Sequence, residues 1–225
     1  MTEGGRHGKF VKCFTKIEPM RKVAESTVRR LSLYLRFLEE FEGQGVATVS
    51  SGALASRGGT TSAQVRKDLS FFGSFGKRGL GYPVPDLADR LREILGLKRR
   101  YLVAMIGAGK IGSALVQYRG FKQRGFDIVA IFDADESKIG RQWNGLTVQD
   151  IATLERELQR RPIDMAVLVT PAEAAQPVTD RLVALGVKSI LNFAPVQLVV
   201  PDDVVVKTVN LALELETLSY ALANR

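Results

Sequence analysis

The sequence predicts an α/β protein in two parts: a winged helix-turn-helix domain, then a Rossmann-type parallel-sheet domain ending in a C-terminal helix. Three observations carry that reading. Positive charge is concentrated in the first half: residues 1–100 hold 19 Lys+Arg against 10 Asp+Glu, residues 101–225 hold 13 against 14, and the whole chain has a net charge of +8. In the basic half, two short helical segments flank Gly58-Gly59 and lead into a glycine-punctuated stretch with adjacent cations. From Tyr101 onward, near-continuous apolar runs alternate with helical spacing, as in parallel strands covered on both faces.

Length and composition bound the rest. With 225 residues and 45% hydrophobic content the chain can bury a core, as one large domain or two small ones. The longest apolar runs, 101–109 and 163–171, are too short to cross a bilayer, so no membrane association is expected. Residues 1–22 form a basic leader, expected to be disordered. Its first twenty residues carry Arg6, Lys9, Lys12 and Lys16 but no apolar core of a secretory signal, and the chain is expected in the cytoplasm. The single cysteine, Cys13, and the single histidine, His7, both lie in this leader, so neither a disulfide framework nor a metal site is expected.

Residues 23–98 make the first domain. Glu25-Ser26-Thr27 can cap a helix whose apolar positions Val28, Leu31, Leu35 and Leu38 recur at intervals of 3, 4 and 3 and which ends at Gly43 and Gly45. After a β-branched stretch at 46–49, Ser50 or Ser51 offers a cap for a brief helix that stops at Gly58-Gly59. Thr61 or Ser62 caps the next helix, which sets Val65, Leu69 and Phe72 on one face and Gln64, Arg66 and Lys67 largely elsewhere. Residues 74–79 suit a hairpin whose tip presents Lys77 and Arg78, a wing. Pro85 opens a further helix along Leu87, Leu91, Ile94 and Leu95, and Gly96 stops it. Lys98-Arg99-Arg100 forms a polar linker to the second domain, residues 101–225.

That domain is expected to run strand 102–106, helix 110–118, strand 128–132, a looser stretch through Trp143 and Val148, helix 151–158, strand 165–169, helix 172–185, strand 189–193, a strand near 204–206, and a last helix 211–222. Gly107-Ala108-Gly109-Lys110-Ile111-Gly112 places GxGxxG between the first strand and its helix. Gly107 makes the tight turn, Gly109 lets the backbone approach a pyrophosphate, Gly112 lets helix and strand close, and the helix start supplies N–H donors. Asp133 lies 21 residues past Gly112 at the end of the second strand, where a carboxylate bonds ribose hydroxyls and disfavours a 2′-phosphate. NADH and NAD+ are therefore the expected cofactors, with Lys138 and Arg141 close enough to soften the preference over NADP(H). A sheet binding no nucleotide, or binding coenzyme A, remains the alternative.

The chemistry of a dehydrogenase is missing. Hydride-transfer enzymes need a tuned acid or base beside the substrate carbonyl, and the only histidine is in the leader. Tyr118-Arg119-Gly120-Phe121-Lys122 spells YxxxK, but Gly120 interrupts the helical spacing that would align the pair, so Tyr118 reads as a packing or cofactor-proximal residue. Two rivals stay open: a small NAD-dependent oxidoreductase with a basic accessory domain, and a DNA-binding protein with a vestigial nucleotide fold.

Beyond the fingerprint, the segments Gln64-Val65-Arg66-Lys67-Asp68-Leu69-Ser70, Phe72-Gly73-Ser74-Phe75-Gly76, Arg78-Gly79 with Gly81-Tyr82, and Leu191-Asn192-Phe193-Ala194-Pro195 closely resemble the Rex family of redox-sensing transcriptional repressors. The resemblance runs from about Val23 to Leu222. It implies a non-enzymatic homodimer that holds double-stranded operator DNA through winged-helix domains and is released by NADH, while NAD+ permits binding. Gln64, Arg66 and Lys67 would then lie on the recognition helix, and Ser74, Lys77 and Arg78 in the wing. The pyrophosphate loop would be Gly107, Ala108, Gly109, Lys110, Ile111 and Gly112. Asp133, with Asp135 and Lys138 beside it, would hold the ribose, and Thr170, Pro171, Asn192 and Phe193 would line the nucleotide edge. In this family the final helix exchanges between subunits. Here Leu211, Leu215, Leu218 and Leu222 form a stripe that suits either a partner or its own domain. Where the family commonly has aspartate just before that helix, able to engage the tyrosine matched by Tyr118 or the cation matched by Lys110, this chain has Asn210. An amide still hydrogen-bonds tyrosine but forms no ion pair, so an altered NADH response is expected.

Overall fold

The computed structural model describes residues 23–76 and 79–224, which divide into two compact units with the boundary between Gly96 and Leu97. His7, Cys13, Lys77 and Arg78 lie outside the described residues. No helix among the described residues is long and apolar enough to cross a membrane.

The first unit contains α1 (Glu25–Gly43), β1 (Thr48–Val49), α2 (Ser51–Arg57), α3 (Ser62–Ser70), β2 (Tyr82–Pro83) and α4 (Val84–Ile94). Its core is built from Leu31, Tyr34, Leu35 and Leu38 of α1, Leu54 and Ala55 of α2, Val65 and Leu69 of α3, and Leu87, Ala88 and Leu91 of α4. The inward stripe of α1 begins one turn later than its spacing suggests: Val28 is exposed and Tyr34 takes a core position. Glu25, Ser26 and Thr27 are inside the first turn, and the N-cap is Ala24, which has no side chain to offer the helix amides. Both short helices are side-chain capped: Ser50 Oγ accepts from Ala53 N at 3.1 Å, and Thr61 Oγ1 accepts from Gln64 N at 3.1 Å.

No strand forms between residues 71 and 76; the only ladder among the described residues of this unit is the antiparallel pair β1–β2, Thr48 opposite Pro83 and Val49 opposite Tyr82. The wing segment returns to that ladder through backbone contact. A Cβ on Gly76 would lie 2.5 Å from the Gly81 carbonyl oxygen, and one on Gly81, whose φ is +78°, would lie 2.6 Å from that of Val49. Glycine is the residue that permits both approaches.

The second unit runs β3 (Tyr101–Ile106), α5 (Lys110–Gln117), α6 (Arg119–Gln123), β4 (Phe126–Asp133), β5 (Gln142–Trp143), β6 (Leu146–Asp150), a 3₁₀ turn (Ile151–Thr153), α7 (Leu154–Arg160), β7 (Met165–Leu168), α8 (Ala172–Ala184), β8 (Ser189–Asn192), β9 (Val205–Thr208) and α9 (Leu211–Ala223). The seven strands lie in the order β5-β6-β4-β3-β7-β8-β9. All neighbours are parallel except β5 and β6. The chain therefore winds outward from β3 in one direction and from β7 in the other, a doubly wound sheet whose switch point lies between them.

Two differences from the sequence reading stand out. The stretch after Asp133 is ordered as the β5–β6 hairpin, and β6 extends the parallel sheet; it lies second from the edge, between β5 and β4, and with only Val148 buried it lacks the apolar run of a central strand. The first crossover helix ends one residue before its expected limit at Tyr118, but a second short helix, α6, follows it beyond the extended backbone of that tyrosine (φ −71°, ψ 104°). α9 buries none of its residues, and Leu211, Leu215, Leu218 and Leu222 are each more than 60% exposed.

Leu91 is fully buried where α4 meets the core of the first unit. Leu91→Ala is expected to destabilise that unit by about 2–5 kcal/mol, read as a lowered midpoint in urea unfolding.

Candidate functional site

β3 delivers the chain to Gly107, whose φ is +107° and whose N–H donates to Phe132 O at 2.7 Å. A Cβ there would stand 2.6 Å from Val169 O, and one on Gly112 would stand 2.3 Å from Gly107 O. Both glycines are required by backbone packing of β3, β7 and α5. Gly109 differs: its φ is ordinary for any residue and a Cβ on it would meet no protein atom within 4 Å. It caps α5 without a side chain, leaving Lys110 and Ile111 exposed on the first turn. A glycine that the fold does not need, at the end of a helix whose first amides lack a side-chain cap, fits a phosphate group approaching the backbone.

Asp133 closes the other side of the loop. Its carboxylate accepts from the backbone N–H of Ala108 and, at 2.8 Å, from that of Asp135, and Lys138 Nζ lies 3.4 Å from it and 3.1 Å from Asp135. The Ser137 hydroxyl and the Lys138 ammonium, with the Ser137 amide, hold the Asp135 carboxyl down to about 2, and Lys138 is shifted up, first by Asp135. Lys138 is thus already engaged by two carboxylates, which keeps this end of the sheet acidic. At the end of β7, Thr170 Oγ1 is buried and has no hydrogen-bond partner, a polar atom suited to a ligand at the switch point; Pro171 follows as the N-cap of α8.

Asn192 is fully buried at the end of β8, and its amide is consumed by its own loop: Nδ2 donates to Ala194 O (3.2 Å) and Val196 O (2.9 Å), and Oδ1 accepts from Ala194 N (2.9 Å). It shapes the turn that presents Phe193. Phe193, Ile111, Asn210 and Leu211 meet around a cavity of about 160 Å³ completed by Ala194, Pro195 and Val209. None of these side chains titrates. Asn210 caps α9, its Oδ1 accepting from Ala212 N (3.1 Å) and Leu213 N (3.3 Å). Tyr118 is elsewhere: it is exposed, lies edge-to-face on Phe121 at 5.2 Å, and lines a separate cleft with Phe126 and Asn144.

In the first unit, Arg66, Lys67 and Ser74 are exposed. Arg66 Nη1 donates to Ser51 Oγ at 3.0 Å, and both border a cleft of about 690 Å³ with Ser50, Gly76, Gly81 and Tyr82. Gln64 turns inward and donates to Asp68 Oδ1 at 2.8 Å. Asp68 is fully buried, and its carboxylate also accepts from Arg30 Nε (2.6 Å), Arg30 Nη2 (2.7 Å) and Tyr34 OH (3.0 Å). Burial alone pushes the Asp68 carboxyl up, but the bonds from Arg30, Gln64 and Tyr34 outweigh it and the net shift is downward. Burial and then the Asp68 bond push Tyr34 up to about 12. This cluster was not foreseen, yet it had a signal: Asp68 is three residues past Val65 and one before Leu69, inside the apolar arc of α3.

Residues 22–70 match the family model described as a putative DNA-binding protein N-terminus, and residues 98–196 match the CoA binding domain model. The redox-sensing transcriptional repressor Rex of Syntrophomonas wolfei is 50% identical over 90% of this chain and 96% of its own, and that of Carboxydothermus hydrogenoformans is 48% identical over 88% and 96%. The chain belongs to the Rex family. Solved Rex-family structures agree over both units of this Rex chain. RSP in complex with β-NAD+ and operator DNA superposes with a TM-score of 0.86 at 40% identity, covering 90% of this chain and 93% of that one. RSP with β-NADH gives 0.83 at 39% identity over 91% and 96%.

Two outcomes follow. Gly109→Ala is expected to fold, with a melting temperature lowered only by the poorer N-cap of α5, yet to lose NADH binding in calorimetry, whereas Gly107→Ala or Gly112→Ala, which press a Cβ into backbone, lower the melting temperature more. Because the Asp68 carboxyl is depressed, its stabilisation is complete above the unfolded carboxylate range, about pH 4, and is lost as pH falls through the lower folded value. Unfolding titrations below pH 4 are expected to show a smaller loss in Asp68→Asn than in the native chain, the remainder coming from the other depressed carboxyls such as Asp135 and Glu155.

Proposed function

We propose that this chain is a transcriptional repressor that binds double-stranded operator DNA as a homodimer and is released by NADH, with NAD+ permitting the DNA-bound state. The observation that carries this reading is the match of both units, at 40% identity, to one structure holding β-NAD+ and operator DNA together. The first unit supplies the DNA contacts. Arg66 and Lys67 on α3 suit base edges or phosphates in the major groove, and the wing residues Ser74, Lys77 and Arg78 suit the adjacent backbone or minor groove. Binding to operator DNA supports a cytoplasmic site of action.

The second unit supplies the nucleotide site. Gly109 and the start of α5, with Lys110 and Ile111, take the pyrophosphate; Asp133, with Asp135 and Lys138 around it, takes the adenosine ribose; Thr170 and Pro171 line the switch point. When bound, the nicotinamide supplies a ring that is cationic and planar in NAD+ but neutral and puckered in NADH. The cavity of Ile111, Phe193, Val209, Asn210 and Leu211 carries no formal charge, so it suits the neutral ring better. A ligand shifts an equilibrium only through such a difference in affinity. Like the curated relatives, which are named redox-sensing transcriptional repressors, the chain acts as a regulator and not as an enzyme.

Dimerisation completes the fold. α9 exposes its leucines, and a groove of about 360 Å³ on the sheet, lined by Val103, Phe126, Ile128, Met165, Val167 and Leu191 among others, is apolar. Covering α9 with a second copy, in the exchanged arrangement, removes that surface from water.

Fluorescence polarisation on a palindromic operator library, at fixed salt because phosphate contacts dominate affinity, tests the reading. Saturating NADH is expected to weaken specific binding by about 5–150-fold, the range of typical coupling energies, while NAD+ leaves it intact; specific binding that survives NADH would favour a vestigial nucleotide fold.

A further inference from the structure

We propose that Asp68 is the positioning residue of the recognition helix and that it withdraws Gln64 from base reading, leaving Arg66 and Lys67 as the α3 side chains that set operator preference. This rests on the DNA-binding reading and deepens it.

An ionised carboxylate offers about four acceptor sites, and Asp68 receives four bonds, from Arg30 Nε, Arg30 Nη2, Tyr34 OH and Gln64 Nε2. Three come from α1 and one from the first turn of α3. Arg30 is itself steadied by Thr27 Oγ1, which accepts from its Nη2 at 3.0 Å. The planar Arg30 fork admits one orientation of the Asp68 carboxylate, and that carboxylate fixes the rotation of α3 about its own axis. Rotation decides which side chains of a recognition helix reach the base edges. A fully buried carboxylate makes slippage costly, since each bond lost leaves a buried acceptor unsatisfied.

Gln64 stands near the N-terminal end of α3, where recognition helices read bases. Glutamine recognises adenine by offering its amide N–H and carbonyl oxygen together. With one of its two Nε2 hydrogens held at 2.8 Å by the buried Asp68, the half-buried amide is turned inward, away from the exposed positions that Arg66 and Lys67 occupy. Arg66 and Lys67 are exposed, and the Ser51 bond aims Arg66 without burying it.

The test uses the full-length dimer with NAD+, a parent operator, its single-base variants and a non-specific duplex, all at one salt concentration. Gln64→Ala is expected to change affinity by less than about fivefold and to keep the ranking of the operator variants. Asp68→Asn, which sets an amide N–H against donors, is expected to lose at least tenfold in the ratio of specific to non-specific affinity while non-specific binding and its salt slope persist. The double variant Asp68→Asn with Arg30→Gln, which rebuilds a neutral amide pair, is expected to recover much of that ratio. A reshuffled ranking in Gln64→Ala would overturn the inference. So would an Asp68→Asn chain that keeps its selectivity, or one that loses specific and non-specific binding in equal measure, as a merely structural role requires. Absence of selective binding by the unsubstituted protein would instead overturn the DNA-binding reading, and this inference with it.

Discussion

A Cβ on Gly107 would press against the Val169 carbonyl, and one on Gly112 against the Gly107 carbonyl, so the first crossover can close on the sheet only as bare backbone. That constraint sets the rest of the nucleotide end. It seats α5 against β3 and β7 and brings the Ala108 amide to the Asp133 carboxylate. It also leaves Gly109 as the one member of the motif that no protein atom crowds. The switch point then gathers Thr170, Phe193 and Asn210 from three further chain segments, because strands wound outward in both directions end along a single edge.

The first unit solves a different problem by a polar device. Its α2 and α3 are short, and α3 is only nine residues long. Apolar packing through Val65 and Leu69 holds it to the core but constrains rotation weakly, since apolar contact is non-directional. The Arg30–Asp68–Tyr34–Gln64 cluster adds direction. A buried ion pair is weak evidence for stability but a good source of orientation when every lone pair is satisfied, and here the carboxylate is fully subscribed. Sensing and binding are thus built on unlike principles: backbone apposition where a nucleotide must approach, and a saturated carboxylate where side chains must be aimed.

Much of this was legible in the sequence. The glycine spacing with Asp133, the paired short helices and the charge asymmetry fixed the architecture, and Ser50 and Thr61 acted as the caps their positions suggested. The losses have physical causes. β6 was hidden because, next to the edge of the sheet, it buries one residue in five and shows no apolar run. The helix end beside Tyr118 was legible from Gly120, but the short α6 that follows was not, because Gly120 allows the tyrosine ring to fold over it, a contact that spacing does not encode. Asn192 announced a strand end, but its three bonds to its own loop could be seen only once the turn existed. Asn210 likewise spends its carbonyl on the amides of α9, a local task that aspartate performs equally well.

The central claim is that one equilibrium carries both DNA and nucleotide, and linkage makes it testable from the nucleotide side. If NADH lowers affinity for operator by some factor, operator must lower affinity for NADH by that same factor. Isothermal titration of NADH into the free dimer and into the dimer saturated with operator measures it directly. The account predicts weaker NADH binding in the presence of operator, matching the loss seen when NADH is added to the DNA complex. Equal NADH affinity with and without operator would contradict it.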